Sequence, residues 1–268
     1  LVIGDPGTVA AGVFTTNQVV AAPVTWSRNR LAGSADARVV VLNSGNANAC
    51  TGPAGEAAVL ATVERAAAEL GCRAEQVLVC STGVIGVPLD VARVTDGVAK
   101  AAGALDRSGG LAAAEAILTT DTVVKQAGAR VVGGATVGGM AKGAAMLAPE
   151  LSLAGAAHAT MLAVLTTDAV AEPEVLRAAL SAGVATTFNR ITVDGAQSTN
   201  DTVLLLASGA SGAEAEPGEL VAAVQAVCHD LAGQMLADAE GGTKVVSVQV
   251  GGAAGEAEEL AVARRVAE

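Results

Sequence analysis

The sequence predicts a layered α/β (α+β) sandwich with buried mixed sheets. Short apolar runs bounded by turn residues interleave with longer segments of helical spacing. Hairpin-like strand pairs recur too often for a purely parallel sheet. The third observation is compositional: 51% of the 268 residues are hydrophobic, yet aromatics make up only 1%. A core of small aliphatic side chains needs close approach between elements, which the 32 glycines suit.

The opening Leu1-Val2-Ile3 reads as the middle of a strand, so the chain is expected to begin inside a domain. Residues 10–24 and 38–44 are β-like, the second a short apolar run ended by Asn43-Ser44-Gly45. Residues 54–70 have helical spacing, with Ala57, Leu60, Ala61 and Val63 on one side and Glu64 and Arg65 on another. Val77-Leu78-Val79-Cys80 is a buried strand ending in Ser81-Thr82-Gly83, and 90–104 and 109–118 are Ala-rich helices. Residues 129–141 form a hairpin with Gly133-Gly134 at its turn. A helix fills 172–184 after the Glu172-Pro173 start signal. Strands follow at 189–194 and 202–207, a helix at 217–238, a strand at 244–250, and a last helix at 256–268. No repeat or linker divides the chain.

The net charge is −11, and the 16 Lys and Arg residues are scattered. Without a basic stripe, no nucleic-acid partner is expected. No unbroken apolar run reaches the roughly 18 residues needed to span a bilayer. The most apolar stretch, 143–165, is interrupted by Glu150 and His158, so no membrane partner is expected. Cys50, Cys72, Cys80 and Cys228 lack CxxC spacing, and only His158 and His229 could join them as soft ligands. They read as buried free thiols of a cytoplasmic protein, with no metal site.

Common catalytic sets are missing: there is no GxSxG elbow, P-loop or HExxH. The glycines at 133–143 lack the strand–GxGxxG–helix order of a phosphate loop. What remains is a density of threonine, in Ser81-Thr82-Gly83, Thr119-Thr120-Asp121, Thr166-Thr167-Asp168 and Ser198-Thr199-Asn200-Asp201-Thr202. Each alone reads as a turn or cap. A threonine can act without histidine if it becomes the first residue of a chain, because its own α-amine then serves as general base.

Gly138-Gly139-Met140-Ala141-Lys142-Gly143, followed by Ala159-Thr160-Met161-Leu162-Ala163-Val164-Leu165-Thr166-Thr167-Asp168, resembles the self-cleavage region of ornithine acetyltransferases. These are the bifunctional glutamate N-acetyltransferases of arginine biosynthesis. The strings AAGVFTTNQVVAAPV, VVLNSGNANACTGPAG, CSTGVIGVPL, AILTTDTV, FNRITVDG, STNDTVLLLASG and DAEGGTK are family-like in sequence and order, so the resemblance covers nearly the whole chain. It implies the self-cleaving N-terminal-nucleophile sandwich that these enzymes share with certain aminopeptidases. It also implies cleavage between Ala159 and Thr160, giving parts 1–159 and 160–268 that remain one structural unit. Thr160 would be the nucleophile, Thr82 and Gly83 the oxyanion-hole pair, and Thr119, Lys142 and Glu240 substrate-binding residues with Thr160. Lys142 suits a substrate carboxylate and Glu240 a cationic amine.

The implied reaction is ping-pong transfer of acetyl from N2-acetylornithine to glutamate through acetyl-Thr160. No cofactor is implied, and acetyl-CoA stays open as a second donor. A two-chain protomer in a higher oligomer is expected. Three departures from the family pattern stand out. A short insertion lies within 151–158, segments of the family lie beyond both ends of the sequence, and residues more usual in the family are replaced by Ala196-Gln197 and by Ala144, which disfavours positive φ in a glycine-rich turn. An autoprocessing aminopeptidase-type hydrolase and a non-catalytic form of the fold are the alternative readings.

Overall fold

The computed structural model describes residues 1–152 and 161–268. The chain opens with β1 (Val2–Ile3), β2 (Val9–Thr15) and α1 (Ala22–Gly33). Then come β3 (Val39–Asn46), α2 (Gly52–Leu70), β4 (Val77–Val84), α3 (Val91–Gly103) and α4 (Gly110–Ala116). A hairpin of β5 (Lys125–Arg130) and β6 (Thr136–Lys142) turns at Gly133 and Gly134, both at positive φ. After β7 (Leu151–Ser152) and β8 (Leu162–Thr167) follow α5 (Pro173–Ala185), β9 (Thr202–Ala207), α6 (Pro217–Ala237) and α7 (Glu256–Ala267).

The strands form two sheets. A three-stranded sheet has the order β1-β3-β4, and a six-stranded sheet the order β5-β6-β8-β9-β2-β7. Both are mixed: β3–β4 and β8–β9 are parallel, and the other pairs are antiparallel. Four layers result. One face of the six-stranded sheet, through Val13, Leu165, Val203 and Leu205, packs on Leu176 and Leu180 of α5 and on Val224 and Leu231 of α6. Its other face, through Phe14, Val164, Leu204 and Leu206, packs on Val40 and Leu78 of the smaller sheet. The smaller sheet's outer face, through Val39, Val41, Val77 and Val79, packs on Val59 and Val63 of α2 and Val98 of α3. Successive side chains of a strand point to opposite faces. A strand such as β9, buried on both, is therefore apolar throughout.

A core this poor in aromatics demands close approach, and Gly139 shows how close. A Cβ there would lie 2.9 Å from Val227 Cγ1 and 3.1 Å from Leu231 Cδ1, so β6 lies nearly in contact with α6.

Several expectations are corrected. The β-like reading of 10–24 holds only to Thr15; Ala22–Gly33 is helical, with Pro23 in the first turn where its missing N–H costs nothing. The α2 helix forms as expected but is rotated: Ala58, Val59, Thr62, Val63 and Ala66 face inward, while Ala57 and Leu60 are exposed. Residues 189–194 and 244–250 pair with no strand among the described residues. The cysteines are free, but only Cys80 and Cys228 are buried; Cys50 is exposed. Burial pushes both buried thiols up to about 12. Among the described residues one helix, α6, is by length and composition long and apolar enough to cross a membrane. Its apolar side, from Leu220 to Met235, is occupied by the core.

Candidate active site

One row across the six-stranded sheet organises the site. Lys142 at the end of β6 registers with Leu162 at the start of β8, Leu162 with Thr202, and Thr202 with Phe14 of β2. Residue 162 follows the predicted nucleophile, Thr160, by two positions. Ala159, Thr160 and most of the insertion lie outside the described residues.

The next residue, Met161, is held at both backbone polar groups. Its N–H donates to Asp201 Oδ1, and its carbonyl accepts from Thr202 N at 3.1 Å. Asp201 is fully buried, and its Oδ2 has no hydrogen-bond partner among the described residues. Burial raises its carboxyl well above the usual carboxylate range, against the opposing effects of the Met161 N–H and the nearby Lys142 charge.

Asn200 joins this edge to the smaller sheet. Its Nδ2 donates to the carbonyls of Ala47 at 2.6 Å and Ser81 at 2.8 Å. The β4 strand, carrying Ser81, Thr82 and Gly83, thus ends against the loop that begins β9. Thr82 is buried, and its Oγ1 has no hydrogen-bond partner among the described residues. Gly83 has φ +130°, and a Cβ there would lie 2.3 Å from the Gly45 carbonyl carbon and 2.6 Å from Asn46 N. Those are backbone atoms at a β3–β4 register shift, so only glycine fits.

The predicted substrate residues Thr119 and Lys142 come together: Lys142 Nζ donates to Thr119 Oγ1 at 2.7 Å. The Lys142 side chain is only 3% exposed, and Asp121 Oδ2 lies 3.5 Å away. Burial lowers the Lys142 ammonium below its usual range, although Asp121 opposes the shift. Burial also acts on Asp121, pushing it up. The Lys142 charge, Lys125 and the Gly143 N–H together outweigh that, leaving Asp121 below the usual range. An ammonium has three donors. With Thr119 on one and Asp121 near a second, Lys142 can offer the third to an anionic ligand.

Glu240 is exposed; its backbone N–H donates to the Ala144 carbonyl at 2.7 Å, two residues beyond Lys142. Ala144 itself is buried, and the positive φ values of this turn fall on Gly143 and Met146 instead.

Sequence reasoning missed Asp121, Lys125, Asn200, Asp201 and Asp238 as members of the site. Asp121 and Asn200-Asp201 stood inside the threonine-rich strings, but nothing marked them as buried. Two cavities, of about 530 and 900 Å³, lie elsewhere and are lined by none of the predicted site residues. The charged, strand-end cluster is the better site, because it concentrates desolvated ionic groups.

The sequence matches the ArgJ family along residues 1–268. It is 50% identical over 268 residues to the arginine biosynthesis bifunctional protein ArgJ of Thermobifida fusca, covering 100% of this chain and 68% of that one. It is 53% identical over 264 residues to the Streptomyces coelicolor protein of the same name, covering 98% and 66%. The chain therefore spans about two thirds of the length of these relatives. Among solved structures, it is similar to the ornithine acetyltransferase of Mycobacterium tuberculosis complexed with ornithine. That match has a TM-score of 0.52 and 49% identity over 55% of this chain and 80% of that one. The PH0078 protein of Pyrococcus horikoshii, at 14% identity and TM-score 0.50 over 87% of this chain and 73% of that one, shares the fold alone.

Proposed function

The chain belongs to the ArgJ family, and from that premise we propose that it transfers an acetyl group from N2-acetylornithine to glutamate through a threonine ester. Thr160 Oγ attacks the Ala159 carbonyl carbon, the peptide nitrogen leaves, and water hydrolyses the resulting ester. The new α-amine of Thr160 then takes the hydroxyl proton as Oγ attacks the acetyl carbonyl of acetylornithine. That proton passes to the departing ornithine nitrogen. The glutamate amine next attacks the acetyl ester, giving N-acetylglutamate and restoring the threonine. The steps use Thr160, its own α-amine, water and the two substrates, so the proposal includes no metal or organic cofactor; acetyl-CoA would serve only as another acetyl donor.

The observation that carries this reading is the desolvated Lys142–Thr119–Asp121 cluster. Its Lys142 registers with Leu162, two residues after Thr160. Lys142 would receive the substrate α-carboxylate, and Glu240, two residues past the α6 C-cap, its side-chain amine. The buried Thr82 hydroxyl and the tight turn at Gly83 suit a fixed donor pair for the oxyanion.

Intact-mass measurement and incubation with acetylornithine and glutamate test it together. The expected outcome is two fragments meeting at Ala159 and Thr160, and N-acetylglutamate formed only when glutamate is present. Thr160→Ala should leave one uncleaved chain without transfer. Uncleaved wild-type chain, or acetylornithine hydrolysis indifferent to glutamate, would sink the proposal.

A further inference from the structure

Lys125 begins β5 and is completely buried. Its Nζ reaches Asp121 Oδ1 at 2.8 Å, Asp238 Oδ2 at 2.5 Å and the Val123 carbonyl at 3.3 Å. All three donors of the ammonium are thereby used, so Lys125 itself has none left for a substrate. Both carboxylates it bridges are tied to residues assigned to substrate binding. Asp121 lies 3.5 Å from Lys142 Nζ and accepts the N–H groups of Gly143 at 2.6 Å and Thr119 at 3.2 Å. Asp238 is the C-cap of α6 and accepts the Thr122 N–H at 3.0 Å. Glu240 follows two residues later, and its N–H closes back on Ala144.

Three pieces of chain meet at this one ammonium, the 119–123 segment, β5 and the end of α6, and Asp121 links it to the end of β6. Stability does not require such a cluster. A buried ion network is commonly matched or bettered by well-packed apolar residues of the same volume, because desolvation offsets the attraction. What it supplies is fixed geometry, since an ammonium holding two carboxylates allows one arrangement of their elements.

We propose that Lys125 is a positioning and specificity-determining residue, which, by bridging Asp121 and Asp238, fixes the separation between Lys142 and Glu240 and hence the length of amino acid the site accepts. This rests on the acetyl-transfer reading, in which those two residues take opposite ends of the substrate.

The test compares wild type with Lys125→Met and with Lys125→Met/Asp238→Asn. The double variant removes one charge of each sign and so keeps the cluster balanced if the single variant fails to fold. The readouts are kcat/KM for N2-acetylornithine and for N2-acetyllysine, which is one methylene longer. Calorimetric affinities for ornithine and lysine, which need no turnover, accompany them. Loss of folded protein lowers both substrates alike and leaves their ratio unchanged.

One methylene is worth about 10–200-fold in a fitted site, so the ornithine-to-lysine ratio should fall about 10-fold in both variants. A ratio unchanged in a folded variant would overturn the proposal and leave Lys125 a structural residue. Wild type that prefers ornithine over lysine in binding but transfers no acetyl would defeat the reaction reading alone, and the binding ratios would then decide the role of Lys125. Wild type that binds neither amino acid would overturn both.

Discussion

Asp201 shows how one buried carboxyl makes stability depend on pH. Unfolded, it loses its proton near 3.8; folded, burial holds the proton to well above that value, with the Lys142 charge opposing only in part. Between the two values the native state binds more protons than the unfolded state, so stability contributed by this group falls as pH rises. Asp121 and Asp238 act in the opposite sense. Their folded values are depressed, so the stability they add is present above 3.8 and is lost as pH falls below it. The Asp121 and Asp238 effects act below 3.8, whereas the Asp201 effect acts above it. Asp201→Asn keeps an oxygen to accept the Met161 N–H and removes the titration. Its stability relative to wild type should therefore grow between about pH 5 and about pH 8, measured by urea unfolding at both. Equal differences at the two pH values would show that Asp201 ionises normally. None of this is legible in the sequence, where an Asp in a polar string is by default a solvated turn residue. Thr82, Gly83, Thr119 and Lys142 could be singled out because they stand in recognisable strings. Lys125 could not, because burial of an isolated charge leaves no local pattern, and Asp238 stood in the DAEGGTK string with nothing to mark it as an ion-pair partner.

Between elements, Asn200 is the polar tie that holds the β4 end of the smaller sheet to the β9 edge of the larger one. Its two amide hydrogens satisfy the carbonyls of Ala47 and Ser81, and its Oδ1 accepts from Thr199 Oγ1 at 2.6 Å. Asn200→Ala would leave two buried carbonyls without that donor. It should cost about 2–4 kcal/mol, read from the urea midpoint at unchanged slope. It should also lower acetyl transfer more than the stability loss explains, because Thr82 follows Ser81 directly. A loss below 0.5 kcal/mol, about that of an ordinary surface substitution, would mean that packing alone aligns the sheets.

The elements that were read correctly carry strong local signals. β9 is an unbroken apolar run after a turn cluster, α5 and α6 start at Glu-Pro pairs, and the β5–β6 hairpin turns on paired glycines. The misread ones lack them. The α1 helix buries only Pro23, Val24, Ser27 and Leu31, and its Val and Thr residues resemble a strand. Residues 244–250 alternate like a strand, yet alternation creates one only where a partner edge exists, which is a non-local fact.

At the scale of the whole molecule, the six-stranded sheet decides what cleavage would do. Its order, β5-β6-β8-β9-β2-β7, places β8 and β9 from residues 160–268 between β6 and β2 from residues 1–159. The β8 strand pairs with β6 along Leu162–Thr167, and β9 with β2 along Thr202–Ala207. Both middle strands are buried on both faces through Leu162, Val164, Leu165, Val203, Leu204, Leu205 and Leu206. At about 1.5–3 kcal/mol per large buried aliphatic side chain, pulling the pieces apart would cost on the order of 10 kcal/mol or more, even after discounting for a compact unfolded reference. Cutting one peptide bond removes none of those contacts. The two fragments should therefore co-elute in native size-exclusion chromatography and separate only in denaturant. Co-expression of 1–159 with 160–268 should restore a folded protein, whereas 160–268 alone, with both faces of β8 and β9 uncovered, should aggregate. Independent folding of either fragment would mean that the sheet is two docked units, and cleavage would then release the Lys142 cluster from the strand that follows the nucleophile.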